Sequence, residues 1–344
     1  SFYSNVLVKI IMNKNEIKIV AEIGSVHDGS FGNAIKLIDL AKECGANIVK
    51  FQMHIPEEES TRNAPSPSYF NHENRFDYFR RINFSFEEWS KLYNHAKNKK
   101  LKFMVSPFSN KALEILLKTG VDYLKVASGE VTNLPLLERI AKSKTPSVLS
   151  TGMSNWKEIS NAVNVLKKGN LHFILQCSSI YPCPFNKVGI NIIKELKERF
   201  KMDVGISDHS KGYLACLAAL VKGATFFEKH ITFSNKMYGS DAINALEPNE
   251  FKQLSKNLND LQIIISAKIN KNNISEYKSM RKIFQKSMYY NKNISEGERI
   301  VISDLSFKKP DSGISASEYK KILGKKLKKT VKKDQLIKKS DFKY

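Results

Sequence analysis

Val204–Asp241 reads VGISDHSKGYLACLAALVKGATFFEKHITFSNKMYGSD. Two short apolar runs, Val204–Ile206 and Ala224–Phe227, each end in a polar cluster that contains a histidine. Leu214–Val221, between them, has the composition and length of a buried helix. If the two runs are parallel strands of one sheet or barrel, His209 and His230 emerge at the same end. Two imidazoles converging there suit a borderline or hard divalent metal with open positions for substrate. The plain alternative is two unrelated histidines, one capping a helix and one packed in a strand. The choice rests on whether the remaining chain is a parallel barrel.

The pattern repeats upstream. Ile17–Ile23, Ile48–Phe51, Lys102–Val105, Tyr123–Val126, Ser147–Leu149 and His172–Leu175 read as strands. Ala34–Cys44, Phe86–Lys99, Lys111–Lys118, Leu134–Ala141, Trp156–Leu166 and Ile190–Phe200 carry apolar residues at helical spacing. Ser85 is the expected N-cap of the second of these helices, with Glu88 as its capping-box partner. Glu250–Lys268, capped by Asn249, closes the series. Strand–helix units in such a row predict a parallel (β/α)8 TIM barrel. A doubly wound sheet is the rival fold. It would offer a G-x-G-x-x-G loop after the first strand, whereas here His27 and Asp28 stand between Gly24 and Gly29. Pro56–Asn83 is too long for a plain connection and is expected to cover or line a site.

The expected domains are an extension over 1–15, with Met12 as the natural start, the barrel over 16–269, a polar linker over 270–280 and a small, mostly β module over 281–344. The 344 residues accommodate a barrel of about 250 residues plus such a module. The apolar runs are too short to span a bilayer. Four scattered cysteines form no disulfide framework and point to a reduced, cytoplasmic protein. The net charge of +22 raises nucleic acid or a membrane surface as a partner. Lysines dispersed over helix faces, without interleaved aromatic residues, argue against either and still attract a small anion.

Function in such a barrel sits at the carboxyl ends of the strands. Taken in order, those ends carry Glu22 with His27 nearby, then Lys50 and Gln52, then Ser106. Lys125, Ser128 and Glu130 follow, then Ser150 and Thr151, then Cys177, Ser178, Ser179 and Tyr181. Ser207, Asp208 and His209 come next, and Glu228 and His230 close the ring. Lysines with Ser and Thr hydroxyls make a phosphate cradle. Carboxylates beside them serve as general acid or base.

At this point the chain resembles the sialic acid synthase family, metal-dependent barrels that condense phosphoenolpyruvate with an N-acetylated hexose and carry an antifreeze-like (SAF) domain. The motifs are Ala21-Glu22-Ile23-Gly24 with His27-Asp28-Gly29, Val49-Lys50-Phe51-Gln52, Ser106-Pro107-Phe108, Lys125-Val126-Ala127-Ser128-Gly129-Glu130, Ser150-Thr151-Gly152-Met153, Ile180-Tyr181-Pro182, Gly205-Ile206-Ser207-Asp208-His209-Ser210, Glu228-Lys229-His230 and Leu246-Glu247-Pro248. The resemblance implies that His209 and His230 hold manganese, or else magnesium or cobalt. It implies that Lys50, Lys125, Ser128, Ser150 and Ser207 cradle phosphoenolpyruvate, with Ser106 and Ser179 as further substrate-binding hydroxyls. Gln52 and Tyr181 would line the acceptor pocket, Glu22 and Asp241 would meet the sugar's hydroxyls, and Glu130 would be the proton-transfer carboxylate. Glu130, Glu22, Asp241 and Tyr181 form the implied catalytic set.

The small module departs from the family pattern. Gln285-Lys286-Ser287 stands for Arg-Arg-Ser, and Lys309-Pro310-Asp311 for Arg-Pro-Gly. Lys309 keeps the charge of a sugar-binding arginine without its planar fork. Gly239-Ser240-Asp241-Ala242 replaces a more common Gly-Pro-Asp-His. The acceptor is therefore expected to be N-acetylmannosamine or another amino sugar, such as a diacetamido-dideoxy sugar or a phosphorylated hexose. The resemblance also implies a homodimer with the SAF domain over the partner's active site. A lysine Schiff-base aldolase and a lysine-rich nucleic-acid-binding protein are the readings from other classes. Borohydride trapping and salt-dependent DNA affinity, respectively, distinguish them.

Overall fold

The computed structural model describes residues 16–67, 70 and 73–343. The extension at 1–15, with Met12, lies outside the described residues. The chain divides into two compact units, one ending at Ala267 and the other beginning at Lys268.

The first unit alternates strand and helix: β1 (Lys18–Gly24), α1 (Phe31–Glu43), β2 (Ile48–Met53), then α2 (Pro56–Glu59), α3 (Arg75–Ile82) and α4 (Phe86–Asn98). The series continues with β3 (Lys102–Pro107), α5 (Asn110–Thr119), β4 (Tyr123–Val126), α6 (Leu134–Ser143), β5 (Ser147–Ser150) and α7 (Trp156–Leu166). It ends with β6 (Leu171–Cys177), α8 (Ile190–Phe200), β7 (Asp203–Asp208), α9 (Leu214–Val221), β8 (Phe226–His230) and α10 (Pro248–Ser266). The strands close into one parallel barrel, with β8 paired back onto β1. This is the expected TIM barrel.

Local sequence sets the helix ends. Ser85 Oγ accepts from the Glu88 N–H at 3.2 Å, and Glu88 Oε2 accepts from the Ser85 N–H at 2.8 Å. That capping box satisfies two donors a helix start leaves free. The closing helix differs from expectation. It starts at Pro248, where a missing N–H costs nothing, and Glu247, not Asn249, is the N-cap. Glu250 Oε2 accepts from the Glu247 N–H at 3.0 Å. Strands β7 and β8 also run past their apolar stretches, through Asp208 and His230. Ladder bonds belong to the backbone, so a strand continues through polar residues whose side chains find partners.

Side-chain alternation then sorts the residues. The inward residues Val20, Ile48, Met104, Val148, Leu175 and Phe226, with Tyr123 and Phe173, pack as a separate core inside the barrel. The remaining strand residues, such as Ile19, Val49, Val105, Ile206 and Phe227, pack outward in a core that includes the helices. Two residues further along each strand, the inward position is Glu22, Lys50, Ser106, Lys125, Ser150, Cys177, Ser207 or Glu228. An apolar plug thus floors a polar ring.

The second unit carries α11 (Lys278–Phe284) and the antiparallel pair β9 (Ser287–Tyr290) and β10 (Leu305–Lys308). The stretch 327–337 joins it through isolated bridges, Ile294 to Val331 and Tyr289 to Leu336, not as a strand. Met288, Tyr290, Ile300, Leu327, Val331, Ile337 and Phe342 are among its own core.

Candidate active site

The polar ring opens into a cavity of 590 Å³ at the carboxyl ends of the strands. Of the residues expected from sequence, it brings together Glu22, Lys50, Gln52, Ser106, Lys125, Ser128, Ser150, Ser179, Tyr181, Ser207, His209, His230 and Asp241. The insertion 56–83 supplies Pro65, Ser66, Pro67, Phe70, Arg75 and Phe79 to the same lining, as expected of a segment that covers a site.

Glu228, named at a strand end but given no role by sequence, is the hub of the floor. Its Oε1 accepts from Lys125 Nζ at 3.0 Å and from Ser207 Oγ at 3.0 Å, and lies 3.5 Å from Lys50 Nζ. Lys50 Nζ is 2.6 Å from Glu22 Oε2. All four charged groups are almost fully buried. Burial alone would raise the Glu228 carboxyl, but Lys125 and Lys50 outweigh it and hold that group well below the usual carboxylate range. For Lys50, burial is outweighed by Glu22 and Glu228, which raise its pKa. Lys125 goes the other way, because burial and the charge of Lys50 together outweigh Glu228.

The ring is not self-satisfied. Ser106 Oγ, Ser150 Oγ and Glu228 Oε2 are buried and lack a hydrogen-bond partner. Such groups are costly unless a ligand or water meets them. Two backbone positions are kept bare for the same space. At Gly152 a Cβ would collide with the hydroxyls of Ser128 and Ser179. Gly24 has φ of +56°, and a Cβ there would strike the Asp241 carboxylate.

The two histidines face one another across the rim, with ring centres 5.9 Å apart. His209 Nδ1 donates to the Ser178 carbonyl at 3.0 Å, and in the neutral ring this leaves Nε2, 3.1 Å from the Tyr181 hydroxyl, as an acceptor. His230 Nδ1 is buried without a partner, and burial lowers the pKa of the ring. Among the described residues no group of three or more His, Cys, Asp or Glu converges as a metal cage. The pair is therefore the set that could hold a cation, with coordination positions left for other donors. Asp241 Oδ2 accepts from the Ser25 N–H at 2.8 Å and from Ser25 Oγ at 2.7 Å. Burial opposes its ionisation, yet His230 and the two Ser25 donors lower its pKa overall.

Two residues of the first unit, His27 and Glu130, stand apart from the cavity. His27 is packed at 4.6 Å from the Phe84 ring, and burial lowers its pKa to about 4, so this rim histidine is core. Glu130 ends a short turn after β4 and does not line the cavity; its Oε2 accepts from Asn133 at 2.7 Å. Burial raises its carboxyl pKa. Lys309 belongs to the second unit, where its ammonium lies 5.0 Å from the Phe284 ring centre. Sequence reasoning missed His54. It is buried, lines the cavity, and bonds both Gln52 and Glu59.

The chain is similar to known proteins along most of its length. The NeuB family model matches residues 37–270, and the SAF domain model matches residues 285–343. N,N'-diacetyllegionaminic acid synthase of Campylobacter jejuni is 37% identical over 329 residues, 93% of this chain and 98% of that protein. Human N-acetylneuraminate-9-phosphate synthase is 30% identical over 326 residues, 93% of this chain and 90% of that one. The crystal structure of the N-acetylneuraminic acid (sialic acid) synthetase of Leptospira borgpetersenii superposes with a TM-score of 0.68 at 30% identity, covering 77% of this chain and 90% of that one. With its family match across most of the barrel and a SAF domain behind it, the chain belongs to the NeuB family of synthases.

Proposed function

We propose that this chain condenses phosphoenolpyruvate with an N-acetylated aldose and water to give a nonulosonic acid and inorganic phosphate. The observation that carries this reading is the buried ring of Lys50, Lys125 and unpartnered hydroxyls beneath two facing imidazoles. Two ammonium groups beside free hydroxyls suit the phosphate and carboxylate of phosphoenolpyruvate. A divalent ion on His209 and His230, manganese in first place with magnesium or cobalt as alternatives, would polarise the acceptor's aldehyde oxygen when bound.

In the reaction, C3 of phosphoenolpyruvate forms the new bond to the aldehyde carbon, whose oxygen takes up a proton. Water then adds to the cationic C2 and gives its proton to a carboxylate, for which Glu130 is our assignment. Phosphate then leaves as its C2–O bond breaks and the C2 hydroxyl becomes the ketone, carrying off that hydroxyl's proton, while the proton given to the carboxylate balances the one taken up by the aldehyde oxygen. Burial raises the pKa of the Glu130 carboxyl, a direction that suits a group which takes up and returns a proton. Its bond to Asn133 must open for it to reach C2. Asp241 and Glu22, with Gln52 and Tyr181, bind the open-chain sugar.

The lining of the cavity also includes the apolar residues Pro65, Pro67, Phe70, Phe79, Phe108 and Met153. That apolar surface suits methyl groups, as a sugar with two acetamido groups would present. The similarity to a N,N'-diacetyllegionaminic acid synthase points the same way. Arg75, also on the lining, favours a second reading, a phosphorylated amino sugar. A homodimer with the SAF domain over the partner's cavity, and Lys309 reaching the sugar, completes the proposal. Four free, buried cysteines support placing it in the cytoplasm. No helix among the described residues is long and apolar enough to cross a membrane.

The test is phosphate release from phosphoenolpyruvate across a panel of amino sugars, with and without chelator. Release that depends on a diacetamido sugar and is abolished by chelator supports the reading. Release without an acceptor, or insensitivity to chelator, overturns it.

A further inference from the structure

The hydrogen bonds of Gln52 lead out of the cavity and into the insertion. Its Nε2 donates to Glu22 Oε1 at 2.7 Å. A carboxylate only accepts, so the amide oxygen must face the other way, onto His54 Nε2 at 3.1 Å. His54 Nε2 therefore carries a hydrogen. On the far side of the ring, Nδ1 lies 2.7 Å from Glu59 Oε1, and Glu59 Oε2 accepts from the Ile55 N–H at 3.3 Å. The imidazole is also clamped flat. Phe79 stacks on it at 3.7 Å between ring centres and Phe108 at 4.0 Å, with interplanar angles of 19° and 16°. A packed core histidine would need none of these directed bonds.

We propose that His54 is a positioning residue for acceptor binding. It acts through Gln52, by turning the amide so that its N–H₂ meets Glu22 and its oxygen is withdrawn from the sugar. Glu59 of α2 and Phe79 of α3 hold the ring, so the same contact ties the insertion to the floor. Lys50 sits next in line, 2.6 Å from the other oxygen of Glu22. The inference rests on the reading of Gln52 and Glu22 as acceptor contacts.

The test pairs kinetics with structure. In His54→Leu, kcat/KM for the acceptor is expected to fall about tenfold, the loss of one directed hydrogen bond. Most of the fall should appear in the acceptor KM, while the KM for phosphoenolpyruvate stays within about twofold. His54→Gln returns an N–H donor near the Nε2 position and should recover part of the loss. Glu59→Gln keeps the ring and weakens its anchor, giving the same split at a smaller size; it also serves if His54→Leu fails to fold. In the ligand-free crystal structure of the variant, the Gln52 amide should have left Glu22. Gln52 still bonded to Glu22, or equal losses toward both substrates, overturns the inference. Wild-type inactivity on every amino sugar would instead sink the proposed reaction, and the ligand-free structure would still decide the role of His54.

Discussion

Glu228 and Lys229 are consecutive residues of β8, both almost fully buried, and they belong to unlike ionic groups. Glu228 points into the barrel and shares its oxygen among Lys125, Ser207 and Lys50. Lys229 points outward, toward the helices, where its ammonium meets Asp208 Oδ2 at 2.7 Å and the Ser210 carbonyl at 2.5 Å. Asp208 Oδ1 in turn accepts from the Ser210 N–H at 2.8 Å. In the outer group both charges are paired, and the pair ties the end of β7, just before His209, to β8, which ends in His230. The inner group is open on one side, with hydroxyls and a carboxylate oxygen that no protein atom meets. Burial is the same in both; satisfaction is not. Ionic groups that satisfy one another hold a fold together, and ionic groups left partly open wait for a ligand.

The contrast is broken most directly by removing one cation from each side. Lys125→Met should lower turnover by about 10²–10³-fold with unfolding little changed, because Lys50 still faces Glu228. Phosphate release and a denaturant melt, read together, check this. An active Lys125→Met protein would mean that the inner ring is structural. Lys229→Met should do the opposite. It strands Asp208 in an apolar wall and should cost about 3–5 kcal/mol of stability, seen as a lower urea midpoint. Adding Asp208→Leu should restore part of that stability.

Two smaller effects sharpen the contrast. Glu130→Gln should keep phosphoenolpyruvate binding and lose about 10²-fold or more in turnover, measured by calorimetry beside phosphate release. A near-normal rate would place the base elsewhere. The smallest is a pH effect. The folded pKa of Glu228 lies below its unfolded value near 4.5, so the native state binds fewer protons in that window. Its contribution to stability is present above about pH 4.5 and is lost as pH falls through the folded value. Acid titration of Glu228→Gln should show a shallower loss in that range, and an unchanged profile would contradict the assignment.

Much of this was legible in the chain. Alternation of short apolar runs with helical stretches fixed the barrel, and polar residues at the strand ends located the ring, because side-chain period and strand direction are local properties. What stayed hidden depends on closure. Lys125 and Glu228 are 103 positions apart, and nothing near either announces the other. The sequence Glu-Lys-His likewise does not say which residue faces in, since β8 begins at Phe226 rather than Ala224. His54 gave no signal because its partners, Phe79 and Phe108, come from α3 and the end of β3. Glu130 is the converse case. The motif marks it for chemistry, yet Asn133, three residues on, holds its carboxylate aside. That spacing could have been noticed from the sequence.

The most direct single measurement is a crystal structure with phosphoenolpyruvate and manganese. The phosphate and carboxylate should lie within hydrogen-bond reach of Lys50, Lys125 and Ser150, with the manganese signal between His209 and His230. Phosphoenolpyruvate bound away from the two lysines, or a metal that touches neither imidazole, would contradict the proposed site.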